Sequence, residues 1–297
     1  MKPKLIVILG PTATGKSDVA VRLAQKYGGE VVSADSRQVY KGLNLGTGKV
    51  TEKEMRGIPH HLLDVVSPQQ QYTVTDFVRD TKNVFVPIYR YKHIPILVGG
   101  TGQYIDTLVF GLQIPNVPPN KKLRMQLEKL SAEKLFSLLH KKDLARAKTI
   151  DRHNKRRLIR ALEIVDTLGK VPKTKKKSLY SPLYIGLTLP KEKLHENIHK
   201  RLIKRLKLGL VAEVQDLHKH GLSWKRMEEL GLEYRYISRF LQKKITKKEM
   251  LTQLELEIQH YAKRQITWFK RNKNILWFDP KKDVQNIEDT VKRFLTT

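Results

Sequence analysis

Residues 10–17, Gly10-Pro11-Thr12-Ala13-Thr14-Gly15-Lys16-Ser17, constrain this chain more than any other feature. The spacing is G-x-x-x-x-G-K-S, and it lies between the two elements that a phosphate-binding loop requires. Before it, Leu5-Ile6-Val7-Ile8-Leu9 is a short apolar run rich in β-branched residues, the pattern of a buried parallel strand. After it, residues 16–27 place Val19, Ala20, Leu23 and Ala24 at helical spacing, and Gly28-Gly29 ends the helix. The glycines let backbone N–H groups turn toward an anion, and the helix N-terminus favours its negative charge. Gly10, Thr12, Ala13, Thr14, Gly15, Lys16 and Ser17 are the expected phosphate-binding set. In it Lys16 neutralises phosphate oxygens and the Ser17 hydroxyl is placed to ligate Mg²⁺.

Further strands are expected at Glu30 to Asp35, Ile94 to Val98, Leu183 to Leu189 and Ile275 to Phe278. Strands alternating with helices give the α/β class, here a parallel sheet with both faces covered. The proline-rich break IPNVPPN at 114–120 introduces a basic, helical stretch with helices expected over 123–139 and 155–168. This predicts a sheet core at 1–115 and 183–297, interrupted by a helical insertion at 116–182. Gly169 to Pro172 and the run Lys173-Thr174-Lys175-Lys176-Lys177 are expected to form a mobile basic loop. A last long helix spans about 248–271, with an apolar stripe through Leu251, Leu254, Ile258, Tyr261, Gln265 and Trp268. Lys263 and Arg264 lie on the neighbouring stripe with Arg271; two arginines beside aromatics favour RNA contact there over a solvated face.

Charge narrows the partner. The 58 Lys and Arg outnumber 29 Asp and Glu, a net of +29. Residues 1–114 hold 14 basic and 9 acidic side chains, whereas residues 115–297 hold 44 and 20. Self-repulsion on that scale is relieved by a polyanion. Nucleic acid is the first reading, an anionic membrane the second and a merely solvated surface the third. No apolar stretch approaches the roughly eighteen residues of a membrane-crossing helix. The N-terminal apolar run is too short for a signal peptide and is followed by no small-residue cleavage site. With no cysteine in the chain, disulfides, thiolate zinc sites and cysteine nucleophiles are excluded. A soluble, cytoplasmic, monomeric protein is expected.

Two motifs bear on the chemistry. Proteins that bind ATP or GTP at such a loop usually hold Mg²⁺ with an aspartate ending a second apolar strand. Here Ile94 to Val98 runs into Gly99-Gly100-Thr101-Gly102 without a carboxylate, and the acidic residue that ends an early strand is Asp35. A plain nucleotide kinase fits this imperfectly. His195-Glu196-Asn197-Ile198-His199 matches H-E-x-x-H, but Lys200, Arg201 and Lys204 crowd it and no third ligand is evident, so zinc is not expected.

GPTATGKS, SADSRQVYKGLNLGTGK (33–49), PHHLLD (59–64), ILVGGTGQY (96–104), RLIRALE (157–163), LKLGLVAEV (206–214) and AKRQITWFKR (262–271) occur in order along nearly the whole chain. Together they resemble the tRNA dimethylallyltransferase (tRNA isopentenyltransferase) family in its bacterial form. That resemblance implies a P-loop nucleotide-kinase-like core with a helical insertion that grips the anticodon arm. It implies transfer of a dimethylallyl group from dimethylallyl pyrophosphate to N6 of the adenosine 3′-adjacent to the anticodon, adenosine-37. The loop would then hold the donor's pyrophosphate, Asp35 would be the general base, and Arg201 would close on the pyrophosphate. Asp35, Ser36, Arg37, Gln38 and Thr101 would meet the target adenosine. Arg124, Arg156, Arg157, Leu158, Ile159 and Arg160 would line the tRNA path. The sequence departs from the family pattern at Gly231-Leu232-Glu233-Tyr234-Arg235, in place of G-Y-[KR], and at Asn197, where an arginine is common.

The chemistry is consistent with these roles. An adenine N6 amine is a poor nucleophile that becomes acidic only as the new C–N bond forms, so a carboxylate of ordinary pKa serves as its base. Charge developing on the leaving pyrophosphate is met by Lys16, Arg201, Mg²⁺ and loop N–H groups. Two other classes share the loop. One is a nucleotide kinase or isopentenyltransferase acting on free adenine nucleotides, which has no need for the basic second part. The other is a non-catalytic, GTPase-like RNA-binding module.

Overall fold

The structure, a computed structural model, describes residues 2–173 and 177–297; residues 174–176 of the basic loop expected at 173–177 lie outside the described residues. The chain forms two compact units, Met1–Phe110 with Ser178–Thr297, and Gly111–Lys177.

The first unit opens with β1 (Lys4–Leu9), α1 (Lys16–Tyr27), β2 (Gly29–Ser33), α2 (Glu52–Met55), β3 (His60–His61), α3 (Val74–Arg90), β4 (Ile94–Gly99) and α4 (Gly102–Val109). The inserted unit contains α5 (Lys121–Leu127), α6 (Ala132–Lys142), α7 (Leu144–Ala147) and α8 (Lys155–Leu168). The first unit resumes with β5 (Ser181–Leu187), α9 (Lys191–Lys207), α10 (Leu210–Lys219), α11 (Trp224–Leu230), α12 (Leu232–Leu241), α13 (Lys247–Phe269), β6 (Leu276–Phe278) and α14 (Val284–Thr296).

The strands form one sheet in the order β3-β2-β4-β1-β5-β6, with every pairing parallel. Alternation along β1 explains why it is apolar throughout. Leu5, Val7 and Leu9 pack on one face with Phe77, Phe85, Ile105 and Phe269; Ile6 and Ile8 pack on the other with Val19, Leu23, Ile287 and Val291. β1 is therefore a central strand buried on both faces. A third cluster joins Val39, Tyr40 and Leu43 to α10, α11 and α12, and a fourth joins α9 to α13.

Several boundaries differ from the sequence expectation. β2 stops at Ser33, so Asp35 lies beyond the strand, where its carboxylate turns the chain by accepting from Arg37 N. β3, on the sheet edge beside β2, was not expected, because two histidines carry no strand pattern. The helix expected over 123–139 is two helices; Ser131 caps the second by accepting from Lys134 N. Both limits of the inserted unit fall a few residues earlier than the expected 116–182. Ser181 N already donates to Pro3 O and Tyr180 is in the sheet core, while Val117 O and Asn120 N are bonded to Arg160 and Glu163 inside the insertion.

Candidate active site

The carboxyl ends of β1, β2 and β4 meet on one edge of the sheet, where open parallel sheets bind ligands. β1 runs into the phosphate loop, β2 into Asp35 and β4 into Gly99-Gly100-Thr101. Glycine is required at the junction: Gly10 has φ +143°, and a Cβ there would strike the Leu187 carbonyl of neighbouring β5. Ala13 (φ 63°) and Gly15 (φ 82°) are also left-handed, the backbone conformation from which anion-binding turns are built, and Gly15 stands at the N-terminus of α1.

These strand ends line a pocket of about 550 Å³ whose other wall is built by α9, the 46–50 loop, the start of α12 and α13. The pocket is cationic at its base. Burial, followed by the charge of Arg201, lowers the Lys16 pKa to about 7, against the pull of Asp35. Lys16 Nζ donates to Pro11 O at 2.7 Å, and Thr14 Oγ1 donates to the same carbonyl at 2.9 Å. Arg201 reaches the loop from α9: Nη1 donates to Thr12 Oγ1 at 2.9 Å and Nη2 to Gly48 O at 3.5 Å. Burial and then Arg205 lower its pKa to about 10. Asn197, one turn earlier, donates to Ala13 O at 3.3 Å. Cations held together at the expense of their own pKa values make a site that favours an anion of more than one charge. Ser17 lies exposed on the same pocket wall.

Asp35 stands across the pocket. Its Oδ1 accepts from Arg37 N at 2.8 Å and Gln38 N at 3.4 Å, while Oδ2 has no hydrogen-bond partner among the described residues. Thr101 orients this turn, since its Oγ1 accepts from Ser36 N at 3.0 Å and its own N–H donates to Ala34 O. Gln38 bridges Ser33 Oγ and Gly48 O. Asp35, Ser36, Arg37, Gln38 and Thr101 are thus brought together beside the loop.

The expected tRNA-contacting residues of the insertion divide in two. Arg156 and Arg157 are exposed. Leu158 and Ile159 are not available: they are buried in the insertion core with Leu135, Leu139 and Leu162, so their expected place on the tRNA path is corrected to a packing role. Arg124 donates to both oxygens of Glu163 at 2.7 Å, and Arg160 adds a bond at 3.3 Å. The Glu163 side chain is fully buried, and the two arginines satisfy it. Lys263 and Arg264 are exposed on α13, with Arg264 paired to Glu257 at 2.7 Å.

Residues of the H-E-x-x-H segment are otherwise engaged. His199 bonds Glu255 at 2.9 Å, and Glu196 pairs with Lys193 and Lys200. No group of three or more metal-ligating side chains occurs among the described residues.

Sequence reasoning placed Gln265 on an apolar stripe without a function. The structure buries it where α13 meets two strand ends: Oε1 accepts from Thr12 N at 2.9 Å and Nε2 donates to Gly100 O at 3.0 Å. A Cβ on Gly100 would collide with that amide, which explains the second glycine of Gly99-Gly100. The usable signal was a lone amide on an otherwise apolar face.

The fold and pocket define a P-loop α/β protein whose anion site faces a carboxylate. The chain belongs to the IPP transferase family, whose profile matches residues 38–272; the isopentenyl transferase profile matches residues 3–71. It is 42% identical to the tRNA dimethylallyltransferase 2 of Treponema denticola over 91% of this chain and 92% of that one. It is 37% identical to the tRNA dimethylallyltransferase of Carboxydothermus hydrogenoformans over 100% and 97%. The solved tRNA isopentenylpyrophosphate transferase of Bacillus halodurans superposes with a TM-score of 0.75 at 33% identity, covering 98% of this chain and 96% of that one. A eukaryotic dimethylallyltransferase solved acting on tRNA gives 0.82 at 27% identity, covering 99% and 78%.

Proposed function

We propose that the protein transfers the dimethylallyl group of dimethylallyl pyrophosphate to N6 of the adenosine 3′-adjacent to the anticodon in tRNA, releasing pyrophosphate. The observation that supports this best is the pairing of a polycationic loop site with the Asp35 carboxylate, one of whose oxygens is left without a hydrogen-bond partner among the described residues, across the same pocket. Membership of the IPP transferase family and the names of the relatives supply the acceptor class.

In this reading the amides of residues 13–17, Lys16 and Arg201 bind the donor's pyrophosphate, while the Thr12 amide stays with Gln265. The allyl C–O bond breaks as the N6 lone pair forms the new C–N bond, and the leaving oxygen's charge falls on Lys16 and Arg201. N6 grows acidic as it bonds, and its proton passes to Asp35, held in place by the Arg37 and Gln38 amides. The adenine must leave the anticodon stack to reach Asp35, at a cost of roughly a few kcal/mol. Thr101 and Gln38 hold the turn it would meet. Ser17, exposed on the pocket wall, would hold Mg²⁺ together with donor oxygens and water; the ion would add positive charge beside the leaving group. Arg156, Arg157, Lys263 and Arg264 would bind RNA phosphates, and the enzyme would act as a cytoplasmic monomer.

Labelled dimethylallyl pyrophosphate offered to tRNA and to free AMP, ADP and ATP tests the reading. Label is expected in RNA. Label in free nucleotide instead would move the protein to the nucleotide-prenylating class, and transfer to neither would leave a binding module.

A further inference from the structure

Arg205 is a part of the pocket that no sequence motif singled out. It lies one turn beyond Arg201 on the same face of α9, and both line the pocket. A Cβ built on Gly48 would land on the Nη2 atoms of both guanidiniums, so the two cationic tips crowd one point beside that glycine. Two like charges in contact are unfavourable unless something answers them. Glu233 answers one: its Oε1 lies 3.3 Å from Arg205 Nη1, with the two side chains 9% and 11% exposed. The other terminal nitrogen of Arg205, Nη2, is buried and has no hydrogen-bond partner among the described residues. Leaving such a donor unmade is costly.

The surroundings fix this geometry. Glu213 clamps the far end of the 44–48 loop, accepting from Leu45 N at 2.6 Å and Gly46 N at 3.0 Å, and Tyr234 donates to the same carboxylate at 2.9 Å. Glu233 and Tyr234 are adjacent at the start of α12, so one short segment holds both the loop and Arg205. Asn197, on the same face of α9, is neutral and bonded to Ala13 O; of the four α9 cations that line the pocket, Lys200 and Lys204 are exposed, and Arg201 and Arg205 are the more buried pair.

We infer that Arg205, anchored by Glu233, is a second pyrophosphate-binding arginine, whose Nη2 meets the phosphate farther from the transferred group and so selects a diphosphate over a monophosphate. The inference rests on the proposed use of the pocket for a diphosphate donor. Burial and the nearby arginine charge both lower the Arg201 pKa, as expected of an arginine pair whose charge exceeds its counterions.

Inorganic pyrophosphate and orthophosphate are the probes, with binding measured calorimetrically on the intact protein and unchanged thermal melting and tRNA affinity required of each variant. Arg205→Gln is expected to weaken pyrophosphate at least about tenfold and orthophosphate by less than about threefold, as for loss of a charge-assisted contact to one phosphate. Arg205→Lys should recover part of the loss. The double variant Arg205→Gln/Glu233→Gln separates binding from structure: if Arg205 only neutralises Glu233, removing both restores pyrophosphate affinity; if it meets phosphate, the loss stays. Restored affinity, or equal losses for the two probes, would overturn the inference. Failure of the unaltered protein to bind pyrophosphate would instead refute the diphosphate reading of the pocket.

Discussion

Asp35 and Lys16 face one pocket but have separable tasks. Asp35→Asn keeps the turn, because an amide oxygen still accepts from Arg37 N and Gln38 N, but it removes the proposed base. Single-turnover transfer is expected to slow by about two to four orders of magnitude, with donor and tRNA dissociation constants little changed. If raised Mg²⁺ restores the rate, Asp35 is a metal ligand and not the base. Lys16 gives a pH-dependent signature. Its pKa is about 7 in the folded protein and 10.5 unperturbed, so between these values the unfolded chain binds more protons and stability rises with pH through that window. A bound diphosphate raises the Lys16 pKa again. Donor binding at about pH 8 should therefore take up a proton, read from binding heats in buffers of different ionisation enthalpy. Lys16→Ala should abolish that uptake and cripple donor use while leaving tRNA affinity intact; equal loss of tRNA binding would make the loop a reader of RNA phosphate.

Gln265 ties α13 to the phosphate loop, so it tests whether that helix sets the loop's shape. Gln265→Leu strands Thr12 N and Gly100 O and is expected to cost about 1–3 kcal/mol of stability, with a raised KM for the donor, measured by denaturant melts and initial rates. In the insertion, Glu163→Ala leaves two arginines facing a buried void. About 3 kcal/mol is expected, the low end for breaking a buried pair, because Arg124 and Arg160 keep about a third of their surface in water. Such elements show what a single sequence reveals. β1, α1 and α8 were legible because strong apolar periodicity coincides with glycine or asparagine punctuation at their ends. The phosphate loop and Asp35 were legible because their spacing is local. Gln265, Arg205 and Glu233 were not, since the partners of Gln265 lie 253 and 165 positions away, Arg205 and Glu233 lie 28 apart, and only the fold brings them together. Leu158 and Ile159 were misread because a motif names positions in a segment without saying which face of a helix each one takes.

At the scale of the whole molecule, the excess positive charge is expected to act through RNA phosphates. Binding of tRNA should weaken linearly in a plot of log affinity against log salt. Replacing exposed Arg156 and Arg157 by Gln should flatten the slope by about 1.5, at roughly 0.7–0.9 per phosphate contact, without altering donor affinity. An unchanged slope would make the insertion a solvated basic surface. The chemistry proposed for the pocket joins an allyl donor's leaving diphosphate to an RNA adenine, with Asp35 as the base. It is tested most directly by turning over dimethylallyl pyrophosphate, labelled in its allyl carbons, once on tRNA and mapping the label after digestion. The expected result is label on N6 of the adenosine 3′-adjacent to the anticodon, with one pyrophosphate released for each allyl group transferred. Pyrophosphate released with no label in RNA, or label spread over many nucleotides, would contradict it.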